Sequence, residues 1–308
     1  MGQSQPRSQP VAEPLGPESV RVVICTFQSA GEVVGAIESC LHEGLAPGQI
    51  TVVDNASKDG TPILLRDRFP EVRLLAMAKN LGFARAVNQG AAGTGGDLVL
   101  MLNPDAELRP GALAAMLDDL SRDPRRGAIS PRVERADGRL DPACRRSFPS
   151  PSVAFFRLIG LSRLGRGSAR LGAYNLTHIP PDRAIAVDSG TGACLLVRRA
   201  LWDRIGGLDE GYFMYGEDLE LCWQIHQLGM AVWYEPKALV LHHKGRSSEQ
   251  VALPMLIHFH RSMWRFYRLH YGRGWGAALA PLVGLGIGAR LSLLLLLNGL
   301  RRRPRVSP

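Results

Sequence analysis

The chain has 308 residues, 45% hydrophobic and 21% charged, a balance that excludes a disordered protein outside the termini. Its formal net charge is +9, yet only four of its 37 basic residues are lysines (Lys58, Lys79, Lys237 and Lys244). No dense basic block is interleaved with aromatics, which argues against a nucleic-acid binder and leaves an anionic small molecule and an anionic membrane surface as the partners.

Residues 1–19 are rich in Pro, Ser and Gln and hold no apolar core, the composition of a disordered leader rather than a signal peptide. Val20 to Thr26 is an apolar, β-branched run without alternation, as expected of a buried parallel strand. Ser29 and Glu32 read as a capping box for a helix carrying Val33, Ile37, Cys40 and Leu41 on one face. A second buried strand, Gln49 to Val53, runs into Asp54, and Thr61 and Pro62 open another helix. A third strand, Val72 to Met77, leads to Lys79 and a helix through Gln89 with Arg85 in its first turn. A fourth, Leu98 to Leu102, ends in Asn103-Pro-Asp105, and Pro110 opens the next helix. Strand–helix alternation with short loops predicts a doubly wound α/β sheet. In such sheets ligands bind beyond the carboxyl ends of the strands, where Asp54, Lys79, Arg85 and Asp105 gather.

After about residue 140 the pattern loosens. Arg145 to Arg170 is basic, with Phe155, Phe156, Leu158 and Ile159 among the charges, and reads as an insertion facing a membrane or an acceptor. Order returns at Val187 to Val197, with Gly190-Thr-Gly192, and again at Gly206 to Phe213. A helix is expected over Leu219 to Leu228, with Glu217 and Asp218 at its start. Trp275 to Leu300 is almost wholly apolar, interrupted by Arg290 and followed by Arg301, Arg302, Arg303 and Arg305. That length suffices to span a bilayer, but Arg290 would cost about 2.5–3.5 kcal/mol near its centre, so an interfacial position competes with a span. Cys25, Cys40, Cys144, Cys194 and Cys222 lack CxxC spacing and mostly sit in apolar runs, as buried free thiols in a reducing compartment would.

Val22 to Ser29, Val53 to Thr61, Asn80 to Asn88, Leu102 to Glu107, Gly207 to Phe213, Gly216 to Glu220 and His242 to Ser247 together resemble family 2 glycosyltransferases of the GT-A fold. The likeness runs in consistent order over about residues 20 to 270 and is strongest to bacterial rhamnosyltransferases of cell-surface polysaccharide synthesis. It implies a Rossmann-like mixed sheet flanked by helices and a GT-A domain over residues 20–268, and the apolar run beyond it makes 269–308 a membrane-associating helical segment. It implies an inverting, metal-dependent transferase at the cytoplasmic face of the plasma membrane, peripheral or anchored by its C-terminus. The donor would be a nucleotide sugar, dTDP-rhamnose first and other UDP- or GDP-sugars as alternatives; the acceptor would be lipid-linked or a polysaccharide.

The same resemblance distributes roles. Asn103 and Asp105 stand where the family carries Asp-x-Asp; Asp105 would hold Mg²⁺ or Mn²⁺ against the donor diphosphate, with Asn103 near the ribose. His242 is the expected second metal ligand, His243 its competitor. Asp54 with Thr26 would bind the nucleoside, and Arg85 the diphosphate or base. The helix dipole disfavours a cation in a first turn, so the position of Arg85 suggests such a use. Asp218 is the expected general base, Glu217 its neighbour in the acceptor site, and Gly192 lies in a loop that lets a substrate approach the backbone. Trp202, Trp223 and Trp233 are read as packing residues before sugar platforms. Two other classes compete. A non-catalytic nucleotide-sugar-binding subunit would have lost some of Asp54, Asp105, Asp218 and His242, all of which are present. A nicotinamide-dependent enzyme would need a GxGxxG loop where the chain has Thr26-Phe-Gln-Ser29.

Overall fold

The computed structural model describes residues 15–149, 174–243 and 252–299. The leader that the sequence led us to expect therefore lies outside the described residues up to position 14. So do most of the basic stretch 145–170, the arginines after Leu300, and the Gly245 to Ser247 end of the last motif.

Nine strands form one mixed sheet in the order β3-β2-β1-β4-β8-β6-β9-β5, with β7 paired to β9. The parallel half is the one expected from the sequence: β1 (Val20–Thr26), β2 (Ile50–Asp54), β3 (Arg73–Ala76) and β4 (Leu98–Leu102). Every residue of β2 and β4 is buried, which is why these strands read as unbroken apolar runs. Their connecting helices are α1 (Val33–His42), α2 (Thr61–Arg68) and α3 (Phe83–Ala91). Helix α3 lies very close to the sheet. A Cβ on Gly90 would come within 2.5 Å of Val23 and 2.8 Å of Val53, so only glycine permits that approach.

The second half is built from β5 (Ala106–Leu108), α4 (Ala112–Ser121), β6 (Arg126–Arg135), β7 (Ile185–Val187), β8 (Cys194–Arg198) and β9 (Ala231–His242). Strand β8 pairs antiparallel with β4 and places Cys194 opposite Leu102, so the loop that enters β8 meets the loop that leaves β4. That turn of topology assembles the site. Between β8 and β9 lie α5 (Arg199–Ile205) and α6 (Glu217–Gln227). Helix α1 begins at Val33 with Glu32 as its N-cap, three residues later than a cap at Ser29 would start it, and the Ser29 hydroxyl donates to the Phe27 carbonyl. All five cysteines are buried and free.

Two helices follow β9, α7 (Ala252–His270) and α8 (Trp275–Gly299). The expected domain edge at residue 268 falls within the last turn of α7. Helix α7 docks on the catalytic half through several side chains. His258 stacks on Phe213 with ring centroids 4.3 Å apart, Ser262 donates to the Met214 carbonyl at 3.1 Å, and Arg265 pairs with Asp209 at 2.7 Å. Helix α8 rests on α7, where Tyr267 donates to the Gly276 carbonyl and Arg290 turns toward Met263 and the Phe259 ring. Several apolar side chains of α8 are open: Leu282, Leu285 and Leu296 are 67, 70 and 64% exposed, and the helix is long and apolar enough to cross a membrane.

Candidate active site

The site lies at the carboxyl ends of β1, β2 and β4. Asp54 ends β2 and is buried; its Oδ1 accepts from the Thr26 hydroxyl at 3.1 Å and its Oδ2 from the Ser57 N–H at 2.9 Å. Both expected nucleoside residues are thus joined to each other, and they shape the loop after β2. Arg85 stands apart from them. It pairs with Glu210 at 3.1 Å, and both side chains are about half exposed.

Asp105 sits in the turn between β4 and β5. Because β5 pairs antiparallel with the end of β9, placing Ala106 opposite His242, the register alone delivers the histidine to the carboxylate. His242 Nε2 lies 3.1 Å from Asp105 Oδ1, with both groups buried. Burial alone would push the Asp105 carboxyl up, but the hydrogen bond and charge of His242 outweigh it and hold it below the usual carboxylate range. Burial likewise disfavours the His242 imidazolium, yet Asp105 and Asp141 outweigh it and push the ring up to about 9. His243 points elsewhere, with its Nε2 3.3 Å from Glu107.

This pair fits a divalent cation. His242 Nδ1 is buried without a hydrogen-bond partner, and Asp141 Oδ2 stands 3.9 Å behind it, where a carboxylate orients a ligating imidazole. Among the described residues no group of three or more His, Cys, Asp or Glu is placed to hold an ion. Two protein ligands completed by substrate phosphates are nonetheless a normal complement for such a hard cation.

The acidic pair opens α6. Glu217 and Asp218 are 5% and 9% exposed, and the chain enters the helix through Tyr215 and Gly216, at φ 68° and 91°. For Tyr215 that left-handed backbone is a strained one, costing about 1–3 kcal/mol. Asp218 Oδ2 accepts from Arg146 at 2.7 Å and from the Gly192 N–H at 3.2 Å, and its Oδ1 from the Leu219 N–H at 2.8 Å. Glu217 Oε2 is buried with no hydrogen-bond partner. Burial first, then the neighbouring Asp218 charge, push Glu217 up to about 8.

These clusters form one site. The Asn103 N–H donates to the Ala193 carbonyl at 2.8 Å, and Ala193 follows Gly192, which holds Asp218. Cys25, the penultimate residue of β1, feels the charges of both Asp54 and Glu217; after burial they are the forces that push its thiol up to about 12. Thr26, Asp54, Asn103, Asp105, Gly192, Glu217, Asp218 and His242 are brought together by these contacts, while the ion pair of Arg85 is with Glu210. Two residues escaped the sequence reading, Arg146 and Asp141. Among 37 basic residues nothing singled out Arg146, and Asp141 had no motif around it.

Comparison with known proteins bears on the family and the fold. The model of glycosyl transferase family 2 matches residues 21–173. The N-acetylglucosaminyl-diphospho-decaprenol L-rhamnosyltransferase of Mycobacterium tuberculosis is 34% identical over 270 residues, 84% of this chain and 87% of that one. Among solved structures, the mannosyltransferase PcManGT from Pyrobaculum calidifontis, in complex with GDP-Man and Mn²⁺, superposes with a TM-score of 0.56 at 18% identity. That match covers 90% of this chain and 75% of the other. GalNAc-T7 with UDP, GalNAc and Mn²⁺ gives 0.52 at 15% identity, over 73% of this chain and 43% of that one. At such identities the likeness is one of fold, and the fold is GT-A.

Proposed function

Because the chain belongs to glycosyl transferase family 2 and is a glycosyltransferase, we propose that it transfers L-rhamnose, with inversion, from dTDP-rhamnose to a lipid-linked saccharide whose first sugar is N-acetylglucosamine on a prenyl diphosphate. What supports the donor and acceptor is the 34% identity to the mycobacterial rhamnosyltransferase along nearly the whole of both chains. Asp105 and His242 would hold Mg²⁺ or Mn²⁺. The bound cation would neutralise charge on the departing diphosphate. The Thr26–Asp54 end of the site would take the nucleoside, and Asn103 would lie along the ribose.

Asp218 accepts the proton of the acceptor hydroxyl as that oxygen bonds to the anomeric carbon. On the opposite face the carbon–oxygen bond to the diphosphate breaks, and dTDP leaves with the electron pair. Charge develops on the sugar as in glycoside hydrolysis, so an anionic carboxylate beside it is favourable. Glu217, pushed up to about 8, keeps its proton at neutral pH and leaves Asp218 as the base. The exposed apolar face of α8 would rest in or on the membrane that carries the acceptor, on its cytoplasmic side.

Calorimetric titration of dTDP-rhamnose, UDP-glucose and GDP-mannose, with and without Mn²⁺, tests the assignment, together with transfer to prenyl-diphosphate-linked N-acetylglucosamine. Metal-dependent binding and turnover of dTDP-rhamnose alone are expected. Preference for another donor overturns the rhamnosyl assignment and keeps the enzyme class; binding of none restores the non-catalytic alternative.

A further inference from the structure

The Arg146 side chain is largely enclosed, 12% exposed. It comes from the basic stretch that the sequence read as an insertion facing a membrane or an acceptor. Its backbone is fixed by a two-way bridge to the loop before β8: the Arg146 N–H donates to the Ser189 carbonyl at 2.9 Å, and the Ser189 N–H donates back at 3.0 Å. From there Nη2 reaches both the Gly190 carbonyl and Asp218 Oδ2, the latter at 2.7 Å. The contact spans 72 positions in sequence and crosses from one side of the acidic pair to the other.

We infer that Arg146 is the positioning residue for the Asp218 carboxylate, holding Oδ2 so that Oδ1 faces the acceptor hydroxyl. The inference rests on the reading of Asp218 as general base. A carboxylate oxygen has two lone-pair sites. On Oδ2 both are taken, by Arg146 and by the Gly192 N–H. Oδ1 accepts only from the Leu219 N–H within its own helix, which leaves one site for the acceptor. The proton therefore goes to Oδ1, and the carboxyl that results stays hydrogen-bonded through Oδ2 while the product departs.

Arg146 also separates the roles of two adjacent carboxylates. Two buried anions side by side are unfavourable, and a cation placed on one of them decides which stays charged. Asp218 has the guanidinium; Glu217 Oε2 has no partner at all. A lysine could supply the charge, but it lacks the rigid planar guanidinium that presents Nη2 to Gly190 and Asp218 together.

The test compares Arg146→Gln, Arg146→Lys and Asp218→Asn in the full-length protein, reading dTDP-rhamnose affinity by calorimetry, thermal unfolding, and kcat and KM for transfer to prenyl-diphosphate-linked N-acetylglucosamine. A misplaced base loses about 10²-fold in turnover. Arg146→Gln is expected to lose kcat on that scale with donor affinity within twofold, and Arg146→Lys to recover part of the loss. Wild-type kcat in Arg146→Gln, or a loss confined to donor affinity, overturns the inference. If Arg146→Gln does not fold, Arg146→Lys decides: reduced kcat with unchanged donor binding supports the role, and wild-type kcat removes it. Asp218→Asn separates the two levels. Full turnover in that variant refutes the base assignment itself, whereas an inactive Asp218→Asn beside a fully active Arg146→Gln refutes only the positioning role.

Discussion

The tie between the C-terminal helices and the chemistry is sharpest at His270. Its Nε2 lies 2.7 Å from Glu220 Oε2, an oxygen that also accepts from Tyr212, while Gln224 donates to the other oxygen. The ring stacks on Trp223 at 4.2 Å and touches Phe266 at 4.5 Å. His270→Ala removes a hydrogen bond to a charged group, worth about 1.5–3 kcal/mol. It also removes a ring stack worth roughly 0.5–1.5 kcal/mol. A loss of about 3 kcal/mol should lower Tm by roughly 6–12 °C in a domain of this size. Differential scanning calorimetry of the detergent-solubilised enzyme reads it. Burial opposes the Glu220 charge, but hydrogen bonds from His270, Gln224 and Tyr212 outweigh it and hold the carboxyl below the usual range. A depressed carboxylate stabilises fully above its unfolded value of about 4.3 and loses that contribution as pH falls through its folded value. The gap between wild type and variant should therefore be widest at neutral pH and close below about pH 4. An unchanged Tm at pH 7 would mean that α7 is an appendage and that its contacts with α6 carry no stability.

Asp105→Ala and His242→Ala should each abolish the Mn²⁺ dependence of donor binding, while His243→Ala, whose ring faces Glu107, should leave the metal titration within a fewfold of wild type. An intact titration in His242→Ala would move the ligand role elsewhere. Glu217 is pushed up to about 8, so its folded form holds a proton that the unfolded chain releases near pH 4.3. Wild-type stability should therefore fall as pH rises between these values, and Glu217→Gln should flatten that slope; equal slopes in urea titrations from pH 5 to 8 would refute it. Removing residues 275–308 should release the protein from membranes in a flotation assay. Continued flotation would point to the basic stretch 145–170.

The parallel half of the fold was legible because fully buried strands leave continuous apolar runs, and their ends marked Asp54 and Asp105. The acidic pair at the start of α6 and the histidine at the end of β9 were legible through their motifs. What escaped depends on partners far away in sequence. Ser29 and Glu32 have the spacing of a capping box, but the chain makes a separate turn before α1, and local spacing does not register that. Arg85 reads as a cation free to bind phosphate until the fold brings Glu210 beside it. Helix α7 mixes apolar, aromatic and basic residues because it faces the domain on one side and α8 on another. No single period marks it, and it was not among the expected elements.

The commonplace explanation of Glu217-Asp218 is helix capping, and it accounts for only one of the bonds: Asp218 Oδ1 accepts from the first-turn Leu219 N–H, but Oδ2 is given to Arg146 and the Gly192 N–H. The N-cap is Gly216, which makes no side-chain cap, and an acid that serves only the helix dipole does so from solvent. Here both acids are almost completely buried. One has an oxygen without a partner, and the other is held by an arginine that must itself be desolvated. Burying polar groups in this way is costly unless every one is satisfied. The approach through Tyr215 adds strain that a glycine at that position would relieve. A helix start optimised for stability would expose the pair and relax the turn. The chain instead retains burial, strain and an unpartnered carboxyl within one turn of helix, beside the Gly192 loop that links Asp218 to Asn103. That combination is what the proposed role of Asp218 requires, a carboxylate that meets an acceptor hydroxyl in a fixed direction, with the helix start bearing the cost of holding it there.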